Sequence, residues 1–131
     1  MRICFLALAL LSPCMTAFAQ SGDPIISAMQ NASNKTNQSL PHMLDRETRA
    51  DTTWIGPGRV WTYALTAMNL TSRDISEDEL RIMYGNTVMK GVCTAPFMKI
   101  FLQNNVKVVY LYRGYDGSYI GTITVNPEQC R

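Results

Sequence analysis

The chain has 131 residues and a formal charge of +2, from 12 basic and 10 acidic side chains. Its length suits one domain, and the near-neutral balance argues against a surface built to attract nucleic acid or anionic membranes. We therefore expect no nucleic-acid partner. The one acidic cluster runs from Asp74 to Glu79.

The first nineteen residues have the organisation of a secretory signal peptide. Arg2 supplies a positive charge, residues 3–11 form an apolar run, and Ala17-Phe18-Ala19 is a small-x-small cleavage site. The apolar run is shorter than the roughly 20 residues that a membrane-spanning helix needs, which argues against a retained anchor. In the alternative of a lipoprotein, Cys14 would carry the lipid, but Pro13 replaces the small residue expected before it.

The sequence thus predicts residues 1–19 as a signal peptide and residues 20–131 as a single exported α+β domain. The expected location is the periplasm or the secreted fraction. After cleavage of the signal peptide, we expect no stable membrane insertion.

Two cysteines remain after the predicted cleavage, Cys93 and Cys130. They lack Cys-x-x-Cys spacing, and two cysteines in an exported chain favour one disulfide. The competing interpretation is a metal pair or a reactive thiol. A metal site would need more ligands than these two cysteines, and the single histidine, His42, is distant in sequence. We expect a disulfide that joins the end of the main helix to the tail, no metal site and no cofactor.

The first half of the domain predicts one helix and two strands. Asp23 and Pro24 have the types of an N-cap and a first helical residue, so a helix is expected to about residue 34. Residues 42–49 then predict a connector. Strands are expected over residues 50–55 and 60–69, around a bend at Gly56-Pro57-Gly58.

The second half predicts two helices and a hairpin. Ser76 and Glu79 form a capping box for a helix over about residues 77–92. Its core-facing stripe is expected to contain Leu80, Met83, Tyr84, Thr87, Val88, Gly91 and Val92. A shorter helix is expected to start with Thr94 as its cap and to end at Asn104-Asn105. Its apolar stripe would contain Phe97, Ile100 and Phe101.

Residues 106–113 and 118–125 are rich in β-branched and aromatic side chains and flank Asp116-Gly117, which predicts a β-hairpin. The element order is therefore helix, strand, strand, helix, helix, strand, strand. This order predicts an α+β fold with one disulfide. Its antiparallel sheet of about four strands would be covered by helices on one face.

The sequence predicts no catalytic residue. His42 has acidic neighbours, and a hydrolase that uses it is a third-ranked hypothesis, but a solvated loop histidine is the simpler interpretation. The hairpin carries a group of side chains of the types enriched at binding hot spots: Tyr110, Tyr112, Arg113, Tyr115 and Tyr119. They predict a partner-binding surface, and ordinary cross-strand packing is the alternative.

A set of short motifs resembles a family of short, largely uncharacterised exported proteins of Gram-negative bacteria. The motifs extend over most of the predicted mature chain: Leu40-Pro41, Leu44-Asp45, Glu47-Thr48, Gly56-Pro57-Gly58, Tyr63, Cys93, Val106, Tyr110-Leu111-Tyr112, Asp116-Gly117 and Cys130. The resemblance implies a periplasmic or secreted single domain with one disulfide. It implies no catalytic residue.

Two functions fit these observations. The first is a small, non-enzymatic module of the periplasm or secretome that binds an unknown protein partner through its sheet or its tyrosine-rich hairpin. The alternative is a periplasmic inhibitor or immunity protein that blocks an enzyme acting on the cell wall.

Overall fold

A computed structural model of the protein describes residues 22–131, so the predicted signal peptide at residues 1–19 lies outside the described residues. The elements in chain order are α1 (Pro24–Asn37), β1 (His42–Met43), β2 (Thr48–Gly56), β3 (Val60–Ala67), α2 (Glu77–Thr94), a 3-10 turn (Pro96–Met98), α3 (Lys99–Gln103), β4 (Lys107–Gly114), β5 (Tyr119–Val125) and a second 3-10 turn (Pro127–Cys130).

The strands form one five-stranded sheet in the order β1-β2-β3-β4-β5. Three of the four pairings are antiparallel, but β3 and β4 are parallel. The α+β class is confirmed, whereas the expected antiparallel sheet of about four strands is wrong in two respects. The predicted connector contributes the short strand β1. In addition, α2 carries the chain back along the sheet, so β4 starts at the same end as β3.

The helices lie on one face of the sheet, which we call the helical face. One row of paired residues on this face crosses four strands: Thr53, Tyr63, Tyr110 and Ile123. The Ser33 hydroxyl of α1 hydrogen-bonds the Thr53 hydroxyl at 2.7 Å. Phe101 of α3 and Tyr84 of α2 contact aromatic rings of β3 and β4 on the same face. The opposite, open face carries Trp54, Val109 and Leu111, and the Trp54 side chain is exposed.

The residues predicted to cap the N-termini of two helices, α1 and α2, do so in the structure. The Asp23 carboxylate accepts a hydrogen bond from the Ile25 N–H at 2.9 Å, with Pro24 as the first helical residue of α1. Ser76 and Glu79 form the complete capping box of α2. Arg59 donates to the Asp23 carboxylate and to the Asn104 carbonyl, each at 2.7 Å, so the start of α1 is tied to the end of α3.

Two of the predicted apolar stripes are wrong in part. Of the stripe predicted for α2, Leu80, Val88 and Val92 are buried and Tyr84 is half-buried. The other three residues are exposed: Met83, Thr87 and Gly91. The shorter helix begins as a 3-10 turn capped by Ala95 and has no side-chain cap from Thr94. The tighter 3-10 turn changes the direction of the following side chains. As a result Phe97 and Ile100 are exposed, and the buried residues are Met98, Phe101 and Leu102.

The predicted disulfide is confirmed. Cys93 in the last turn of α2 is bonded to Cys130 in the second 3-10 turn, and their Cα atoms are 5.2 Å apart. The bond therefore joins the end of α2 to the segment that follows β5, as expected from the sequence.

Side chains cover backbone groups on both sides of the sheet, on β5 and on the part of β2 that extends beyond its pairing with the two-residue β1. The Asn37 amide accepts from the Thr53 N–H at 2.7 Å and donates to the Thr53 carbonyl at 2.9 Å. On the other side of the sheet, the Thr122 N–H donates to Glu77 at 3.1 Å, and Arg81 donates to the Thr122 carbonyl at 3.3 Å. These side chains occupy the positions that an added strand would use, so edge pairing is blocked at both places.

Candidate functional site

The middle of the helical face is lined by large aromatic side chains. Because α1 packs on β2 and α2 packs on β5, strands β3 and β4 run between the two helices. Their side chains on this face form what we call the aromatic strip: Trp61, Tyr63, Tyr110 and Tyr112. The strip is therefore framed by a helix on each side.

The rings of the aromatic strip form stacked and tilted pairs. Tyr63 and Tyr110 stack with their centroids 5.0 Å apart, and Trp61 lies 5.8 Å from Tyr63. At the far end, Tyr112 stacks on Tyr84 of α2 at 6.1 Å. Trp61 and Tyr112 are buried, whereas Tyr63 and Tyr110 are half-buried. Solvent therefore reaches the middle of the strip.

The parallel pairing of β3 and β4 brings Tyr63 and Tyr110 side by side, since these two residues are partners in the strand register. Sequence reasoning selected Tyr110 but missed Tyr63 as a site residue. The alternation of Trp61, Tyr63 and Leu65 identifies Tyr63 as facing the helices. The alternation does not show, however, which strand lies next to Tyr63 in the sheet.

The surroundings of the phenols in the strip favour their neutral form. Burial raises the pKa of Tyr63 and of Tyr112, and the adjacent Tyr110 phenol raises both further. Burial also raises the pKa of Tyr110 itself. The Trp61 Nε1 is buried without a hydrogen-bond partner among residues 22–131. The strip thus offers apolar ring faces and uncharged hydroxyls, and it is held mainly by packing.

The raised tyrosine pKa values predict a loss of stability in alkali. An unfolded tyrosine ionises near pH 10, so above about pH 10 the unfolded chain releases protons that folded Tyr63 and Tyr112 retain. The contribution is intact below that pH, and stability should fall as the pH rises beyond it. Urea unfolding at about pH 9 and pH 11 measures the effect. A Tyr63→Phe/Tyr112→Phe variant should show a smaller drop, and an equal drop would contradict this cause.

The structure places the five hairpin residues at three separate locations. Tyr110 and Tyr112 belong to the aromatic strip, and Tyr112 is only 5% exposed. Arg113 and Tyr119 are paired in register, are exposed and lie on the other side of the sheet from Tyr112. Tyr115 is 61% exposed at the turn. The five side chains thus do not form one continuous surface, and a binding role for each stays a prediction.

His42 lies exposed in β1, and its Nδ1 is 3.4 Å from the Ser39 carbonyl oxygen. Within residues 22–131, no three histidine, cysteine, aspartate or glutamate side chains are grouped closely enough to hold a metal ion. The same range contains no helix with the length and apolar character needed to cross a bilayer.

The fold is shared with solved structures of proteins from Gram-negative bacteria. A Pseudomonas aeruginosa protein thought to be secreted matches with a TM-score of 0.70 and 10% identity, over 82% of this chain and 93% of that one. The type 2 secretion system pilotin EpsS from Vibrio vulnificus matches with a TM-score of 0.65 and 11% identity, over 82% and 92%. The type 2 pilotin AspS from Vibrio cholerae matches with a TM-score of 0.61 and 10% identity, over 81% and 92%.

At such identities the likeness establishes the fold alone. The chain therefore has the α+β architecture found in these pilotins and in this Pseudomonas protein. No protein-family model and no curated protein matches the sequence.

Proposed function

We propose that this chain is an exported, non-enzymatic protein that binds a segment of a partner protein on the aromatic strip. The observation that carries the proposal is the half-buried stack of Tyr63 and Tyr110 between α1 and α2. Tyrosines provide large contact areas at a small entropic cost, and they are enriched at the centres of protein interfaces.

The geometry favours insertion of side chains over addition of a strand. Side chains cover the backbone of Thr53 on one side of the sheet and of Thr122 on the other, so an added strand could not pair at these two positions. Between the helices, an incoming apolar side chain can lie against the Tyr63 and Tyr110 rings. Its backbone can hydrogen-bond the neutral phenol hydroxyls, because a phenol both donates and accepts.

The fold neighbours agree with the part of the proposal that concerns export. Two of them are pilotins of type 2 secretion systems, and a third is thought to be secreted. An exported partner in the periplasm or outside the cell agrees with the signal peptide predicted at residues 1–19. We propose that the partner is a component of the cell envelope or of an export assembly.

Site-specific photo-crosslinking tests the proposal with matched positions. A benzophenone amino acid replaces Tyr63, Tyr110, Tyr115 or Tyr119 one at a time, and cells that export each variant are irradiated. Every substitution keeps an aromatic side chain, but benzophenone is larger than a phenol. Circular dichroism of each purified variant therefore first checks that substitution at the half-buried positions 63 and 110 leaves the protein folded. We expect a covalent adduct of one defined mass from positions 63 and 110 and none from positions 115 and 119.

The other outcomes of the crosslinking are equally informative. Adducts from positions 115 or 119 alone would contradict binding at the aromatic strip and would favour the hairpin surface expected from the sequence. No adduct at any position, with all four proteins folded, would remove the proposed function. An adduct with a cell-wall hydrolase would favour the inhibitor alternative.

A further inference from the structure

A cleft lies beside the solvent side of α2, where the preceding loop turns into the helix. Its volume is about 310 Å³, and it is lined by four apolar and two acidic residues: Leu70, Ile75, Ile82, Met83, Asp74 and Glu79. Ile82 is 81% exposed and Met83 is 59% exposed. Neither contributes to the buried stripe of α2, and isoleucine is a weaker helix former than the lysine or glutamate usual at such positions.

One wall of this cleft is formed by the loop that precedes α2, and hydrogen bonds hold this loop in place. The Leu70 carbonyl accepts from the Tyr115 N–H at 3.1 Å, and the Asp74 carboxylate accepts from the Thr71 N–H at 2.7 Å. The Ser72 N–H donates to the Ser118 hydroxyl at 3.0 Å. Because the loop is attached to the hairpin, the cleft exists before any ligand arrives, which lowers the entropic cost of binding.

The rim of the cleft carries negative charge. Glu79 accepts hydrogen bonds from the Ser76 N–H and hydroxyl, which hold the pKa of its carboxyl below the ordinary value. Two cations lie nearby. Arg81 is paired with Glu77 at 2.6 Å and with Asp78 at 3.3 Å, and Arg73, which precedes Asp74 in the loop, lies near Asp116 of the hairpin. The carboxylates of Asp74 and Glu79 are therefore fixed beside an exposed apolar surface.

We propose that this cleft binds an apolar side chain flanked by lysine or arginine, presented by a partner protein. Ile82, Met83 and Leu70 would surround the apolar side chain, while Asp74 and Glu79 would attract the basic neighbours. The cleft is separate from the aromatic strip, since Tyr84 of α2 faces Tyr112 while Ile82 and Met83 face solvent. This inference does not depend on the proposed function.

Methyl NMR with two designed peptides tests the proposal. Both peptides carry leucines on one helical face, and the other face is all lysine in one peptide and all glutamate in the second. With labelled isoleucine and methionine methyl groups, we expect the lysine peptide to shift Ile75, Ile82 and Met83. Ile100 is an exposed isoleucine on α3 and serves as the internal control, which should not move.

Conservative variants separate charge recognition from apolar contact. Asp74→Asn and Glu79→Gln each keep the oxygen that accepts the loop or cap hydrogen bond, so the fold should be retained. Together they should weaken binding of the lysine peptide roughly fivefold to tenfold, as expected for two surface charge pairs.

Three results would overturn the proposal. One is that the lysine and glutamate peptides change the methyl chemical shifts equally. Another is that the chemical shift of Ile100 changes as much as that of Ile82. The third is a stronger response of Ile82 and Met83 to phosphatidylglycerol vesicles than to the lysine peptide, which would indicate a lipid surface as the occupant.

Discussion

Loss of the Cys93–Cys130 disulfide is expected to lower the free energy of unfolding by about 4 kcal/mol. The bond closes a loop of 37 residues, and a loop of this length restricts the unfolded chain by roughly that amount in the chain-entropy model. For a domain of this size, the melting temperature should fall by roughly 15–25 °C. Thermal unfolding of a Cys93→Ser/Cys130→Ser variant, followed by circular dichroism, measures the change.

Reductant provides the control for this prediction. Dithiothreitol should lower the melting temperature of the wild-type protein to nearly that of the double variant and should leave the variant unchanged. A wild-type protein whose melting temperature is the same with and without reductant would show that the bond is absent or contributes nothing. A variant that reductant also destabilises would point to another effect of the reagent.

The parts of the fold that the sequence predicted are those set by local chemistry. The Asp23-Pro24 start of α1 depends on neighbouring residues, as does the capping box of α2. The hairpin turn depends on Gly117, whose φ of +81° only glycine adopts readily. Asn105, with a φ of +59°, ends the segment after α3 in the left-handed conformation that asparagine tolerates.

The direction of the β3–β4 pairing could not be predicted in the same way. Alternation of side chains shows which face of a strand is buried, but it is identical for a parallel and an antiparallel neighbour. The direction is set by the course of the chain through α2 and α3, a tertiary property. The same limit applies to the site, because Tyr63 and Tyr110 stack as partners in the parallel register of β3 and β4.

The outward side of α2 shows a second limit. A three- and four-residue spacing placed Met83 in the same stripe as Leu80, yet Leu80 is buried and Met83 is exposed. Helical periodicity gives the order of residues around the axis. It does not show how much of the helix surface is covered by the sheet. Apolar residues on a partly covered helix can therefore remain exposed to solvent.

Substitution of Gly114 by alanine should destabilise the protein by roughly 2–3 kcal/mol, the upper part of the range for overpacking. A Cβ at this position would lie 2.7 Å from the Leu70 carbonyl oxygen and 2.8 Å from the Thr71 Cα. Both neighbours are backbone atoms, so no side-chain rotation can relieve the contact. The Leu70 carbonyl is also held by the Tyr115 N–H, and movement of the loop would lengthen that hydrogen bond.

The measurement is the urea midpoint at an unchanged denaturant slope, which isolates stability from changes in compactness. Gly85→Ala in α2 is the matched control, because a Cβ there meets nothing within 4 Å. It should stabilise the helix by about 0.5–1 kcal/mol, the usual difference between glycine and alanine in a helix. A Gly114→Ala protein as stable as wild type would mean that the hairpin does not rest on the Leu70–Thr71 backbone. The rigid wall proposed for the cleft beside α2 would then also lack its support.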